Sequence, residues 1–316
     1  MKRLPYRPEL DGLRTVAVLL VVAFHSGVPL AVNGRVGVDV FFVLSGYLIT
    51  QILTGRPELT DFYLRRLRRL MPALLLMVAA TGLLATSFTK PYWWNALVSV
   101  IYLGDLAFPL TVAKGPLLHT WSLALEMQFY LLWPFVLRLP KPRLVLTAAW
   151  LTLTIVRTIA LRDAPPDSFL FLTPLRASGM ILGGLLALVR VPTKGWMTYL
   201  GLVLVAVAAA SDKSVVASLI IAEVGAAMTI ASLETPTLAR ACLGAPSTAY
   251  LGRLSYSLYL WHYPLIVFLR PAPWPLIFIL GLGGGITFAA MSYHGIEKPL
   301  RLGHAVERSR PMGANT

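Results

Sequence analysis

Four ionisable residues near the N-terminus are of types that could carry out chemistry at membrane depth. They lie in or beside two apolar segments, 13–32 and 38–53, and they are Asp11, Arg14, His25 and Asp39. A charged group at bilayer depth costs roughly 3 kcal/mol or more, so it rarely persists without a partner or a function. A cation near the membrane surface and an imidazole deep inside the first segment together indicate a site.

The spacing of Arg14 and His25 supports this interpretation. If residues 11–32 form one helix, the rotation and rise per residue place the side chains of Arg14 and His25 within roughly 20° of each other around the helix axis. Along the axis they are about 16 Å apart. Asp11 shares that face, one turn before Arg14. The sequence therefore predicts a polar stripe along the first helix, with His25 as the best candidate for a base.

A basic cluster precedes the third apolar segment, in FYLRRLRRLMP at 62–72. Arg66 and Arg69 are three residues apart and therefore share a helix face. Guanidinium groups match phosphate oxygens with a bidentate fork, which favours a phosphate site. Basic clusters also orient membrane proteins and contact lipid headgroups, and the residues alone leave both interpretations open. We expect Pro72 to mark a helix start or a kink.

A buried carboxylate is expected at Glu126, within HTWSLALEMQFYLLWP at 119–134. Its neighbours are apolar or aromatic, so its charge requires a cation or a hydrogen-bond donor. Glu126 is either part of a structural ion pair or a partner that orients His25 or balances its charge, and Asp39 is the second candidate for that role. We expect His119, just before this motif, to lie at the surface.

The composition is that of a membrane protein. Hydrophobic residues make up 57% of the 316 residues and charged residues only 13%, whereas about a quarter of a soluble domain is charged. The single cysteine excludes a disulfide within the chain and a cysteine-built metal site. The net charge of +14 is explained by basic cytoplasmic loops, so we do not expect nucleic acid as a partner.

These residues must be positioned by a bundle of membrane-spanning helices. Eleven apolar segments have suitable length and composition, at 13–32, 37–54, 70–88, 94–112, 122–138, 143–161, 168–190, 196–211, 215–233, 254–270 and 274–293. Most of the 28 basic residues lie on the cytoplasmic side if one segment around 94–138 does not cross. The sequence thus predicts an all-α, polytopic bundle of about ten spans with both termini cytoplasmic. Residues 1–300 form a single transmembrane domain, and residues 301–316 form a short basic cytoplasmic tail.

Several motifs resemble those of acyltransferase family 3, a family of integral-membrane enzymes. These enzymes acylate sugars on bacterial lipopolysaccharide, exopolysaccharides, peptidoglycan and macrolide antibiotics. The matching features are ELDGLR at 9–14, the Arg14-to-His25 spacing, GVDVFFVLSGYLIT at 37–50, Arg66-x-x-Arg69, TWSLALEMQFYLLWP at 120–134, YLGRLSYSLYLWHYP at 250–264 and SYHGIEKPLR at 292–301. Together they extend over nearly the whole chain.

The resemblance implies an O-acyltransferase of a bacterial plasma membrane. It would move an acyl group, most simply acetyl, from acyl-CoA to a hydroxyl of a sugar or glycan, with membrane lipids around it and no metal or permanently bound cofactor. His25 would be the general base, and Arg14, Arg66 and Arg69 would hold the phosphates of coenzyme A. Further pocket candidates are Asp11, Ser45, Trp121, Arg176, Ser255 and His262. Some relatives carry an extracellular esterase-like domain, which we do not expect here.

The sequence leaves three alternatives open. Ser45 or Ser122 could carry the acyl group covalently, although neither lies in the strained turn that activates a serine in soluble hydrolases. A transporter or permease could use the same intramembrane histidine, arginines and carboxylates as a substrate or proton pathway. A non-catalytic membrane scaffold could share the fold.

Overall fold

The computed structural model describes residues 5–84, 90–108, 115–161 and 173–300. These residues form helices and connecting turns and contain no strand, which confirms the predicted all-α class. The predicted tail at 301–316 lies outside the described residues.

The described residues contain fourteen α-helices. In chain order they are α1 Pro8–His25, α2 Gly37–Thr54, α3 Leu59–Leu84, α4 Lys90–Val100, α5 Gly104–Ala107, α6 Trp121–Val136, α7 Pro142–Ala160, α8 Thr173–Arg176, α9 Ser178–Leu188, α10 Trp196–Ala210, α11 Val215–Ser232, α12 Leu238–Leu243, α13 Pro246–Leu269 and α14 Trp274–Ser292. A π-helical turn, Tyr293–Glu297, follows α14.

Five helical segments are long and apolar enough to cross a membrane, namely Gly34–Thr54, Leu59–Leu84, Pro142–Ala160, Val215–Ser232 and Trp274–Leu300. Two shorter apolar helices are Ser178–Leu188 and Trp196–Ala210. An apolar helix needs about 20 residues to span the hydrocarbon core, and several of these helices reach that length. The chain is a multi-pass membrane protein.

The first helix is shorter than predicted. It ends at His25 and not near residue 32, because Gly27 adopts a φ of 78° and Pro29 follows two residues later. His25 is therefore the last residue of α1 and is half-buried, whereas the predicted segment 13–32 had placed it in the interior of the helix. Arg14 and His25 do share one continuous helix, as the predicted spacing required.

Two other boundaries differ from the sequence prediction. Helix α3 starts at Leu59, so the basic cluster is helical and Pro72 lies inside the helix, where it does not mark the start. Helix α4 ends at Val100, because Tyr102 adopts a φ of 56° and interrupts the helix. Of the predicted segment 94–112, residues 109–112 lie outside the described part of the chain.

Glycines bring the central helices into close contact. A Cβ atom added at Gly46 of α2 would lie 1.9 Å from the carbonyl oxygen of Met180 in α9. A Cβ atom at Gly252 of α13 would lie 1.8 Å from the carbonyl oxygen of Asp11 in α1. Small residues allow such backbone approach between membrane helices, and here they fix α2 on α9 and α1 on α13.

The two ends of the bundle differ in chemistry. At the end where α1 begins, which we call the basic end, Arg7 lies 3.2 Å from Glu9, and Arg240 lies 3.7 Å from the same carboxylate. At the other end, which we call the histidine end, α1 finishes at His25 beside α13. Between Arg14 and His25 the helix rises about 16 Å.

Candidate active site

Three histidines meet at the histidine end. Nδ1 of His25 lies 3.0 Å from Nε2 of His262, and the ring centroids of His262 and His119 are 5.7 Å apart. His119 and His262 are 2% and 0% exposed. The ring of Tyr263 packs against this group, 4.7 Å from His25 and 5.0 Å from His119.

The predicted surface position of His119 was wrong. A 3₁₀ turn, Leu118–Thr120, directs it beneath α13, where Nε2 lies 3.1 Å from the carbonyl oxygen of Leu260. Sequence patterns could have indicated this position. In the predicted topology, His25 and His262 lie within the segments 13–32 and 254–270, and His119 just precedes the segment 122–138 at the membrane face where the first segment ends.

A cleft of about 380 Å³ opens at the basic end. Arg14 lies 3.0 Å from Asp11 at its wall. The cleft is lined by five arginines, which are Arg7, Arg14, Arg66, Arg69 and Arg253. The three arginines predicted for phosphate binding are thus brought together, and positive charge dominates the cleft.

An inner cavity of about 70 Å³ continues from this cleft. The two share five lining residues, which are Arg14, Ser45, Arg66, Arg69 and Tyr130. Glu126 lines the inner cavity and accepts short hydrogen bonds from Ser45 Oγ and Tyr130 Oη. The guanidinium of Arg66 lies 5.5 Å from the centre of the Tyr130 ring. Glu126 therefore belongs to the cavity wall and, among the described contacts, does not reach His25.

Tyr259 of α13 connects the inner cavity with the histidines. Its hydroxyl lies 2.7 Å from Ser122 Oγ, and both residues line the cavity. The same hydroxyl donates to the carbonyl oxygen of His119 at 2.9 Å. The ring centroid of Tyr259 is 5.5 Å from that of His119 and 5.4 Å from that of His262. The cavity thus ends beside the histidine cluster, with Ser255 also in its lining.

Asp39 forms an ion pair with Arg176 and not with His25. Its carboxylate accepts from Arg176 at 2.5 Å, and the guanidinium of Arg176 lies 4.9 Å from the centre of the Trp121 ring. Both ionic residues are buried. Glu126 and Asp39 were the predicted partners of His25, but the side chain that lies against its ring is His262.

A second buried ion pair was not predicted as a pair. Arg157 of α7 donates to Glu223 of α11 at 2.7 Å and to Ser178 of α9 at 2.9 Å. Arg157 lies in the last turn of an amphipathic helix, so the sequence alone gave no reason to place it inside. In the described part of the chain, no three histidine, cysteine or acidic side chains have the arrangement of a metal site.

Comparison with known proteins gives consistent matches. A family model described as "Acyltransferase domain" matches residues 7–294. The chain is 31% identical to peptidoglycan O-acetyltransferase OatA of Listeria monocytogenes, over 94% of this chain and 56% of that protein. It is also 31% identical to the putative peptidoglycan O-acetyltransferase YrhL of Bacillus subtilis, over 94% and 55%, and 30% identical to a putative O-acetyltransferase of Staphylococcus aureus, over 95% and 58%. The chain spans somewhat more than half the length of these curated relatives. No solved structure matches it significantly.

Proposed function

We propose that this chain, which belongs to acyltransferase family 3, is a membrane O-acyltransferase that moves an acetyl group from acyl-CoA to a hydroxyl of a sugar or glycan. The observation that carries the proposal is the arginine-lined cleft, which continues into an inner cavity lined in part by Tyr259, whose ring packs against His119 and His262. The names of the relatives support O-acetylation and, for two of them, a peptidoglycan acceptor.

The donor half of the proposal rests on charge and size. Arg14, Arg66 and Arg69 would bind the phosphates of coenzyme A, because guanidinium groups form paired, charge-assisted hydrogen bonds with phosphate oxygens. The pantetheine arm would then enter the inner cavity past Ser45 and Glu126. The small volume of that cavity, about 70 Å³, favours a short acyl group such as acetyl.

The chemical step is direct acyl transfer. The acceptor hydroxyl oxygen attacks the thioester carbonyl carbon, and His25 Nε2 takes the hydroxyl proton as the new C–O bond forms. The C–S bond then breaks, and the proton passes from His25 to the leaving thiolate, which departs as free coenzyme A. A polar group that stabilises the developing oxyanion would lower the barrier further. Ser45 and Ser122 remain the candidates for a covalent route.

The orientation we propose places the basic end in the cytoplasm of a bacterium, with ten helices crossing the plasma membrane and both termini inside. We take α4 as the helix that does not cross. The spans are then α1, α2, α3, α6, α7, the consecutive helices α8 and α9 taken together, α10, α11, α13 and α14. Basic residues next to spans favour the cytoplasmic side.

The single cysteine tests this orientation. Cys242 lies in α12, is exposed, and belongs to the basic end beside Arg240. We expect a membrane-impermeant maleimide to leave Cys242 unmodified in intact spheroplasts and to modify it fully after detergent is added. Equal modification in intact and permeabilised spheroplasts would contradict the cytoplasmic placement.

The function is tested with purified protein and acetyl-CoA. We expect release of free thiol that depends on a glycan acceptor, together with an acceptor whose mass increases by one acetyl group. A double variant, Arg66→Gln/Arg69→Gln, should raise KM for acetyl-CoA by roughly tenfold or more, since each charge-assisted hydrogen bond contributes about 1.5–3 kcal/mol. The KM for acetyl-pantetheine, which lacks the nucleotide phosphates, should change little.

The results also separate the transferase from its alternatives. A permease would move substrate across proteoliposomes without releasing thiol. Equal KM changes for both donors would show that the arginines act on the fold or on another part of the donor, and would overturn the phosphate assignment. As a charge control, Arg65→Gln changes an exposed arginine on the same helix, paired with Asp61 at 3.5 Å, and should leave both KM values unchanged.

A further inference from the structure

The hydrogen bonds around His262 determine which of its nitrogens carries the proton. Nδ1 of His262 lies 2.7 Å from the carbonyl oxygen of Tyr259 and 3.2 Å from that of Leu258. A carbonyl oxygen can only accept, so Nδ1 of His262 must be the N–H donor. A second proton on Nε2 would make the ring a cation, which is costly at a residue that is 0% exposed. In its neutral form, Nε2 of His262 is therefore an acceptor.

The protonation state of His262 determines which ring nitrogen of His25 carries a proton. Nε2 of His262 lies 3.0 Å from Nδ1 of His25, and two acceptors cannot share a hydrogen bond. Nδ1 of His25 must then carry the proton, and Nε2 of His25 is left as the unprotonated nitrogen. Nε2 of His25 makes no hydrogen bond with the described part of the chain.

The packing around His262 holds this arrangement in place. The residue lies inside α13, and the acceptor carbonyls belong to the preceding turn of the same helix. A Cβ atom added at Gly285 of α14 would lie 3.7 Å from the His262 Cα, so α14 packs directly against this turn. His25 is less constrained, because it is half-buried and ends α1.

We propose that His262 is a positioning residue, which fixes His25 as the Nδ1–H tautomer and leaves its Nε2 free to accept the proton of the acceptor hydroxyl. The inference rests on the proposed role of His25 as the base, and it assigns to a second histidine the orienting function for which carboxylates are more usual. Nδ1 of His25 donates to Nε2 of His262, and Nδ1 of His262 donates to the backbone carbonyl oxygen of Tyr259. The side chain of Tyr259 lines the donor cavity, so one residue contacts both halves of the site.

The tautomer can be measured without activity. In ¹⁵N-histidine-labelled protein in lipid, magic-angle-spinning spectra distinguish protonated from unprotonated ring nitrogens, and His25→Gln identifies the His25 signals. We expect wild-type His25 to be protonated at Nδ1. In His262→Leu the acceptor is absent, so His25 should shift towards the Nε2–H tautomer. In His262→Gln the amide oxygen can accept in place of Nε2, and the wild-type tautomer should return.

Kinetics give the functional readout. His262→Leu should lower kcat at least about tenfold with little change in KM for acetyl-CoA, because an enforced wrong tautomer costs a serine protease about 10⁴ in kcat. His262→Gln should recover most of that loss. Wild-type His25 protonated at Nε2, or a folded His262→Leu with unchanged tautomer and kcat, would overturn the proposal. Absence of transfer by the wild type would refute the proposed function, while the spectra would still decide whether His262 sets the tautomer.

Discussion

Replacing His25 with glutamine is expected to lower kcat for acetyl transfer by roughly 10²- to 10⁴-fold, the range that a general base contributes. Glutamine has a similar length and keeps a polar group at the end of α1, but it cannot accept and return a proton near neutral pH. His25 lies at the opposite end of α1 from the arginine-lined cleft. The affinity for acetyl-CoA should therefore stay within about twofold of the wild type.

The measurement compares thiol release under saturating donor with equilibrium binding of acetyl-CoA to the same preparations. His294→Gln is the matched control, because His294 is exposed and lies at the basic end. Its Nε2 is 3.0 Å from the hydroxyl oxygen of Tyr250. It should retain wild-type kcat. If a folded His25→Gln protein keeps full activity, another group is the base. If acetyl-CoA binding is lost along with activity, His25 acts through the donor site.

Most of the helices were predictable because the residues within and beside each helix determine where it begins and ends. Apolar length and flanking basic residues located α2 at its observed bounds, 37–54, and placed α10, α11 and α14 to within a residue. The early end of α1 depends on the positive φ of Gly27, and the early end of α4 on the unusual φ of Tyr102. Both are backbone conformations that the surrounding structure selects, and hydropathy does not report them.

Several residues of the site were predictable from the sequence, but the contacts between them were not. Arg14, Arg66 and Arg69 were expected together, and they line one cleft. The contacts of the carboxylates with distant helices were not foreseen, because sequence patterns do not report which helices pack together. Glu126 binds Ser45, and Asp39 binds Arg176, which is 137 residues away. The contact of His119 with Leu260 joins residues 141 positions apart, and only the membrane face predicted for both could have indicated it.

The buried pair of Arg157 and Glu223 offers the second large effect, on stability. Of the residues in α7, only Leu146 and Arg157 are buried, so this arginine is the main polar anchor of that helix to α9 and α11. Arg157→Leu would leave the Glu223 carboxylate, which is 0% exposed, without its cation. Breaking a buried pair in this way costs about 3–5 kcal/mol, and we expect a loss of that size in the free energy of unfolding.

The double variant Arg157→Leu/Glu223→Leu should recover most of this loss, because replacing both members of a buried ion pair with apolar residues of similar volume is often neutral. The free energy of unfolding is measured by titration with SDS in mixed micelles. Arg65→Leu serves as the surface control, since it breaks the exposed pair with Asp61 and should cost less than about 1 kcal/mol. If the double variant were no more stable than Arg157→Leu, the unpaired carboxylate would not be the cause, and the loss would have to come from the contact between Arg157 and Ser178 or from the packing of α7.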